Sequence, residues 1–282
     1  MFMLISTIVV LASVYALFHY SQKRQKSNDQ KFETLVLLRE LLQLSRKHRA
    51  ATHYALTCKL STESVQRVNT LYQSMMTASN RLIQKSPFDG RPMYRIYQLK
   101  IKAMHNDWQT RSLVRNQFIH GKTIRHNMLL MDELMITWLT ESEQTELVDD
   151  YHMEWLQVLD AMETLTKLRM CIPDMDKQDE FLRAKFYADQ IHRHLNRLAL
   201  ICPLSLGSPT GARALQTLAD IHDSEQRVIT ATAMYELTSD ISTIIAQVYD
   251  QILSRMTETL YLPLPEISLR LADDHQGVHG SV

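Results

Sequence analysis

The sequence predicts an all-α fold: an N-terminal transmembrane helix followed by about eight helices forming two related four-helix bundles. Three observations carry that expectation. Only six Gly and seven Pro interrupt 282 residues. Between these breakers, apolar residues recur at helical rather than alternating spacing, in a composition rich in Leu, Met, Ala, Gln, Glu, Lys and Arg. The first twenty residues, MFMLISTIVVLASVYALFHY, carry no charge.

A helix rises about 1.5 Å per residue, so that run matches the roughly 30 Å hydrocarbon core of a bilayer. Residues 1–21 therefore read as a membrane anchor and 22–28 as a basic juxtamembrane linker. A cleaved signal peptide would carry charge ahead of the apolar stretch and small residues at its cut. Here nothing charged precedes Phe2, and the run ends in Leu17, Phe18, His19 and Tyr20. Phe18 and Tyr20 suit the interfacial aromatic belt. Lys23, Arg24 and Lys26 all follow the run, and basic flanks stay on the cytoplasmic side. The expected topology is a single-pass inner-membrane protein with its C-terminal domain in the cytoplasm. Cys58, Cys171 and Cys202, odd in number and without CxxC spacing, read as reduced thiols.

The breakers divide the remainder. Pro87, Gly90 and Pro92 mark a loop, Gly121 a lone break, Pro173 a segment end, and Pro203 to Gly211 a second loop. Helices are expected at 29–59, 62–85, 93–119, 122–145, 147–172, 176–201, 210–236 and 239–261. In the first, Leu35, Leu38 and Leu42 form one stripe and Leu37, Leu41 and Leu44 its neighbour, a face broad enough for a core. Ser61, Thr62 and Glu63 supply capping hydroxyls and a carboxylate at the positive end of the second helix. The tail, residues 263–282, is expected to be mobile.

The helices read as four repeated once. Glu40 to Gln43 with Lys47-His48-Arg49 aligns with Asp160 to Glu163 with Lys167-Leu168-Arg169, an offset of 120. Tyr72 and Asn80-Arg81-Leu82 have counterparts in Tyr187 and Asn196-Arg197-Leu198, and Gly121 falls opposite Thr238. Shared order at a near-constant offset predicts two related bundles, residues 29–145 and 146–262, joined near Glu143 to Asp150.

Composition removes several functions. Lys plus Arg and Asp plus Glu are 31 each, so no basic field exists to hold nucleic acid. Gly stands only at 90, 121, 207, 211, 277 and 280, which assembles no phosphate-binding loop. The twelve histidines offer Asp149-x-x-His152 and Asp189-x-x-His192 but no Glu-x-x-His pair of the di-iron kind, and His192 and His194 point to different helix faces. No metal or cofactor is expected. Cys171 beside Met170 and Ile172, and Met128, Met131 and Met135 at helical spacing, read as core. No acid–base pair or nucleophile constellation indicates an enzyme.

Arginines supply the functional lead. Leu35, Leu38, Leu42 and Ser45 lead along one helix face to Arg49, and Trp155, Leu159, Met162 and Thr166 lead likewise to Arg169. A guanidinium pointing inward must find an acceptor, and its planar fork suits an oxyanion as well as a carboxylate. One reading is an anion site in the first bundle, made by Arg46, His48 and Arg49 with help from Arg125 or Lys122. The other has Arg49 and Arg169 near helix ends, snorkelling or paired with Glu133 or Asp250.

With these features and the segment LLQLSRKHRAATHYAL, residues 30–260 or so resemble the bacterial nitrate- and nitrite-sensing domain, an all-helical module of two stacked four-helix bundles. The chain keeps Leu42-Gln43 and an arginine-bearing helix end, but not the Glu-Arg-Gly that the family carries there. The resemblance implies a nitrate-like anion bound inside one bundle, with Arg49 and Arg46 matching first-helix ligands and Arg125 a fourth-helix ligand. It also implies a ligand-driven helix shift passed to an output domain. No kinase, methyl-accepting, cyclase or RNA-binding output segment is present, so the signal is expected to pass to a separate, unidentified protein partner, with the anchor as a tether. The alternative is a membrane-anchored scaffold or protein-interaction module with no small ligand. That reading predicts internally paired Arg49 and Arg169 and an exposed apolar patch of several hundred Å².

Overall fold

The computed structural model describes residues 2–58, 60–224 and 229–267, without the side chains of residues 2–5 and 8–10. The described residues are all-α, with nine α-helices and two short 3₁₀ turns. They are α1 (Phe2–Thr57), α2 (Thr62–Lys85), α3 (Arg91–His105), α4 (Leu113–Glu141), α5 (Thr145–Cys171), α6 (Gln178–Ile201), α7 (Pro203–Leu206), α8 (Pro209–Asp223) and α9 (Ala231–Leu260).

Helix α1 runs unbroken for 56 residues, about 84 Å at the standard rise. No separate linker exists at 22–28, because SQKRQKSNDQ contains neither Gly nor Pro to stop the helix. Its first part is exposed at Leu11, Val14, Tyr15, Leu17, Phe18 and Tyr20. From about Gln25 onward other helices grip it: Gln25 Nε2 donates to the Tyr261 hydroxyl at 2.9 Å, Tyr261 donates to Asp29, and Trp138 Nε1 donates to Asn28 Oδ1 at 3.2 Å. Among the described residues, no helix is long and apolar enough to cross a membrane. Much of the apolar run expected as the anchor, the side chains of 1–5 and 8–10, lies outside them.

Helix α2 starts as a capping box: Ser61 Oγ accepts from Ser64 N and Ser64 Oγ accepts from Ser61 N, both at 3.1 Å. Two expected breaks move. The helix expected at 93–119 stops at His105, where Asp107 adopts a left-handed φ of 53°. The Arg111 guanidinium folds back there onto the Met104 and Ala103 carbonyls at 2.7 Å. Ser112 then caps α4, accepting from Arg115 N at 3.2 Å. Gly121 lies inside α4 rather than at a break. A Cβ there would stand 2.4 Å from Thr166 Cγ2 of α5, so the glycine serves close helix approach. In the second half α8 ends at Asp223 and α9 starts at Ala231 rather than at 239, because Thr230 caps α9 by accepting from Ala233 N at 3.2 Å.

Helix α1 packs against α2 and α4, α2 against α3, and α3 against α4, closing a first four-helix group. Helices α5, α6, α8 and α9 close a second group in the same pattern, and α4 lies against α5 to join them. The apolar core is continuous through both, from Leu35 to Met256. Part of the expected mobile tail is tied down, since Arg39 Nη1 donates to the Pro265 carbonyl at 3.1 Å. The rest of it, from residue 268, lies outside the described residues.

Candidate functional site

Buried arginines gather where α1 and α5 face α9. Arg39, Arg46, Arg49 and Arg169 are all 2 % exposed or less. On α1, residues 39, 46 and 53 are seven apart and share a face with 49, and that face meets α9 of the second group. Arg46 and Arg49, expected to face the inside of the first bundle, thus face the second group instead.

Arg39 is neutralised. Its Nε and Nη2 donate to Asp250 Oδ1, the former at 2.8 Å. Asp250, expected as a partner for Arg49 or Arg169, is therefore taken by an arginine about three turns earlier on α1. Arg46 donates to Gln43 Oε1 at 2.6 Å and to the Ser242 carbonyl at 2.9 Å. Arg49 Nη2 donates to Ser242 Oγ at 3.3 Å. Arg169 Nε donates to Thr238 Oγ1 at 3.1 Å and its Nη2 to the Thr238 carbonyl at 2.6 Å.

The charge balance is the unusual feature. Among the described residues, Arg49 and Arg169 form no ion pair with a carboxylate; their acceptors are neutral hydroxyls and a carbonyl. Arg169 Nη1 is buried with no hydrogen-bond partner among the described residues, and the buried Tyr249 hydroxyl lies beside Arg46. Burial, followed by the charge of Arg169, holds Arg49 well below the ordinary arginine range. Burial, with Arg46 as the repelling neighbour, brings Arg169 down to about 10. Among the described residues these two buried cations have no carboxylate partner, an arrangement that is costly without a counter-ion. One wall is aromatic: Arg169 lies 5.9 Å from the Tyr235 ring centroid, and His53 stacks on Tyr235 at 3.4 Å.

The other expected ligands go elsewhere. Arg125 is 46 % exposed in its side chain and paired with Glu163 on the outside of the α4–α5 junction. Lys122 lies over the Phe118 ring at 4.4 Å. His48 turns into the first group, where it forms a hydrogen-bonded chain. His120 Nδ1 contacts the Asn116 carbonyl at 2.8 Å, His120 Nε2 contacts His48 Nδ1 at 2.9 Å, and His48 Nε2 contacts His105 Nδ1 at 3.2 Å. A carbonyl only accepts, so His120 carries its proton on Nδ1, and each ring in turn donates through Nδ1. This directional chain uses both nitrogens of His48 on different partners and does not converge on a point. Among the described residues no group of His, Cys, Asp and Glu could hold a metal ion. Burial, then the neighbouring histidines, keeps His48 well below its ordinary value, and burial takes His120 down to about 3.

Ser242, Thr238, Tyr235 and Tyr249 were not visible as site residues in the sequence. The one available signal was the offset of 120, which pairs Arg169 with Arg49. Compared with known proteins, the chain matches no family model, no curated protein and no solved structure.

Proposed function

We propose that the chain is a membrane-anchored receptor for a small oxyanion of the nitrate or nitrite kind, bound between the two four-helix groups by Arg49 and Arg169 with Arg46, and that it signals through a separate protein partner. The observation that carries this reading is the buried Nη1 of Arg169, without a hydrogen-bond partner among the described residues, near an Arg49 guanidinium whose Nη2 donates to a serine hydroxyl at 3.3 Å. An oxyanion would supply the missing charge and accept from both forks. The resemblance to nitrate-sensing domains supports the choice of anion. The exposed apolar side chains of α1 at 11–20 and the exposed Lys23, Arg24 and Lys26 support an anchor with the folded part on the cytoplasmic side. Because α1 carries both the apolar run and the two arginines without a break, a shift of α1 against α9 would reach the anchor directly.

The scaffold reading is supported by exposed apolar pairs one turn apart, Leu182 and Phe186 on α6 and Ile96 and Leu99 on α3. It predicts internally paired Arg49 and Arg169; among the described residues their acceptors are Ser242 and Thr238, and neither forms an ion pair with a carboxylate.

A thermal-shift titration of the full-length chain with nitrate, nitrite and chloride tests the receptor. Nitrate or nitrite is expected to raise the melting temperature with concentration, since a ligand of the folded state stabilises it by about 2.7 kcal/mol at one hundred times its Kd. An R169A variant should lose the response. An equal response to chloride, or an unchanged response in R169A, would defeat the reading.

A further inference from the structure

His53 stands one turn beyond Arg49 on α1, on the same helix face. Its ring lies flat on Tyr235 of α9, with centroids 3.4 Å apart and planes 10° from parallel, and Tyr235 in turn borders the Arg169 guanidinium. From α4, Gln117 Nε2 contacts His53 Nδ1 at 3.3 Å. An amide N–H donates, so Nδ1 accepts and the neutral ring holds its proton on Nε2. The charged and titratable groups around His53 are Arg49 on α1, Arg169 on α5 and Tyr235 on α9, while α4 presents the neutral Gln117. Burial, then the Arg169 and Arg49 charges, push the imidazole down to about 4.

Gln117 holds the second half of the arrangement. It is 2 % exposed, and its Oε1 is buried without a hydrogen-bond partner. A half-turn of the amide exchanges Oε1 for Nε2. In that orientation Oε1 accepts from a protonated Nδ1, which gives the orphaned acceptor a donor. Gln117 thus serves His53 in either charge state, and the half-buried ring remains open to proton exchange with solvent.

We propose that His53 couples proton uptake to anion uptake: an anion held by Arg49 and Arg169 is accompanied by one solvent proton on His53, with the Gln117 amide turning to accept it. The inference rests on the anion reading above. An anion cancels the field of the two guanidiniums, which adds to burial in excluding a proton from His53. Reciprocally, a protonated His53 adds one more cation to attract the anion, and linkage makes the two effects equal.

Nitrate is the probe, because it stays anionic across the range. Calorimetric titration of the full-length chain is expected to show wild-type affinity rising about threefold between pH 7 and about pH 5.5. The rise should be absent in H53Q and in Q117L. In nitrogen-resolved NMR of the wild type, saturating nitrate should raise the His53 titration midpoint above its anion-free value of about 4. The same pH dependence in H53Q as in wild type, or a His53 midpoint indifferent to bound nitrate, overturns the coupling and leaves the anion site standing. Failure of nitrate to bind the wild type at any pH overturns both. If H53Q does not fold, the wild-type ring titration decides the matter.

Discussion

Arg49 and Arg169, 120 residues apart in the chain, bind α9 one helical turn apart, Arg49 at Ser242 Oγ and Arg169 at Thr238. Two cations that repel one another are thereby held on one helix by neutral acceptors. Helix α9 is the common wall on which an anion would stand between them. Since α1 and α5 belong to different four-helix groups, an anion shared by both arginines would also draw the groups together.

The first prediction concerns the cost of that repulsion. Replacing Arg169 by Met is expected to raise the stability of the anion-free protein by about 1–4 kcal/mol, the range seen when buried ionic groups give way to apolar ones. The same variant should lose stabilisation by nitrate. Urea titrations with and without nitrate check both halves; an R169M protein that is less stable and still responds to nitrate contradicts the site.

Arg125 provides the contrast. It is an exposed partner of Glu163, and exposed pairs contribute about 0–1 kcal/mol. R125A should leave nitrate affinity within about twofold of wild type, a difference of about 0.4 kcal/mol. A tenfold loss by calorimetry would return Arg125 to the site.

Asp250 balances the buried guanidinium of Arg39. D250N leaves the buried Arg39 guanidinium without its counter-charge and should cost about 3 kcal/mol. A denaturant midpoint unchanged from wild type would show that Arg39 finds another acceptor.

Gly121 is a steric rather than a conformational glycine. Alanine favours a helix interior by about 1 kcal/mol, yet its Cβ would stand 2.4 Å from Thr166 Cγ2. G121A is expected to destabilise by about 1–3 kcal/mol. The second substitution T166A should recover much of that loss, a coupling measurable in a double-mutant cycle.

Acid should weaken the fold through its buried histidines. His53 and His120 sit at about 4 and about 3 when folded, below the value of roughly 6.5 in an unfolded chain. The unfolded state therefore binds more protons, and stability falls as pH drops through 6.5 toward those folded values. At about pH 5 each of the two costs about 2 kcal/mol. Substituting His120 by Asn should flatten the dependence of the urea midpoint between pH 7 and about 5; an unchanged slope would mean the ring is already protonated in the folded state.

Much of the helical framework was legible in the sequence, because i, i+3 and i+4 spacing and scarce Gly and Pro report helices directly. Leu35, Leu38 and Leu42 are indeed core, and Ser61 caps α2. The breaks at Gly121 and Thr238 were misplaced for one shared reason. Both residues are small for the sake of a neighbouring helix, Gly121 for Thr166 and Thr238 for Arg169, and local sequence does not distinguish that role from a helix stop.

The site divides along the same line. Sequence alone determined that Arg49 and Arg169 point inward, because periodicity places them on apolar stripes. Only tertiary structure decided what they meet: α9 rather than α4, hydroxyls rather than Asp250, with Arg125 outside and His48 turned into a histidine chain. Periodicity specifies the face of a helix. The partner of that face depends on how α4 and α5 join the two groups, and that is a property of packing between residues far apart in the chain.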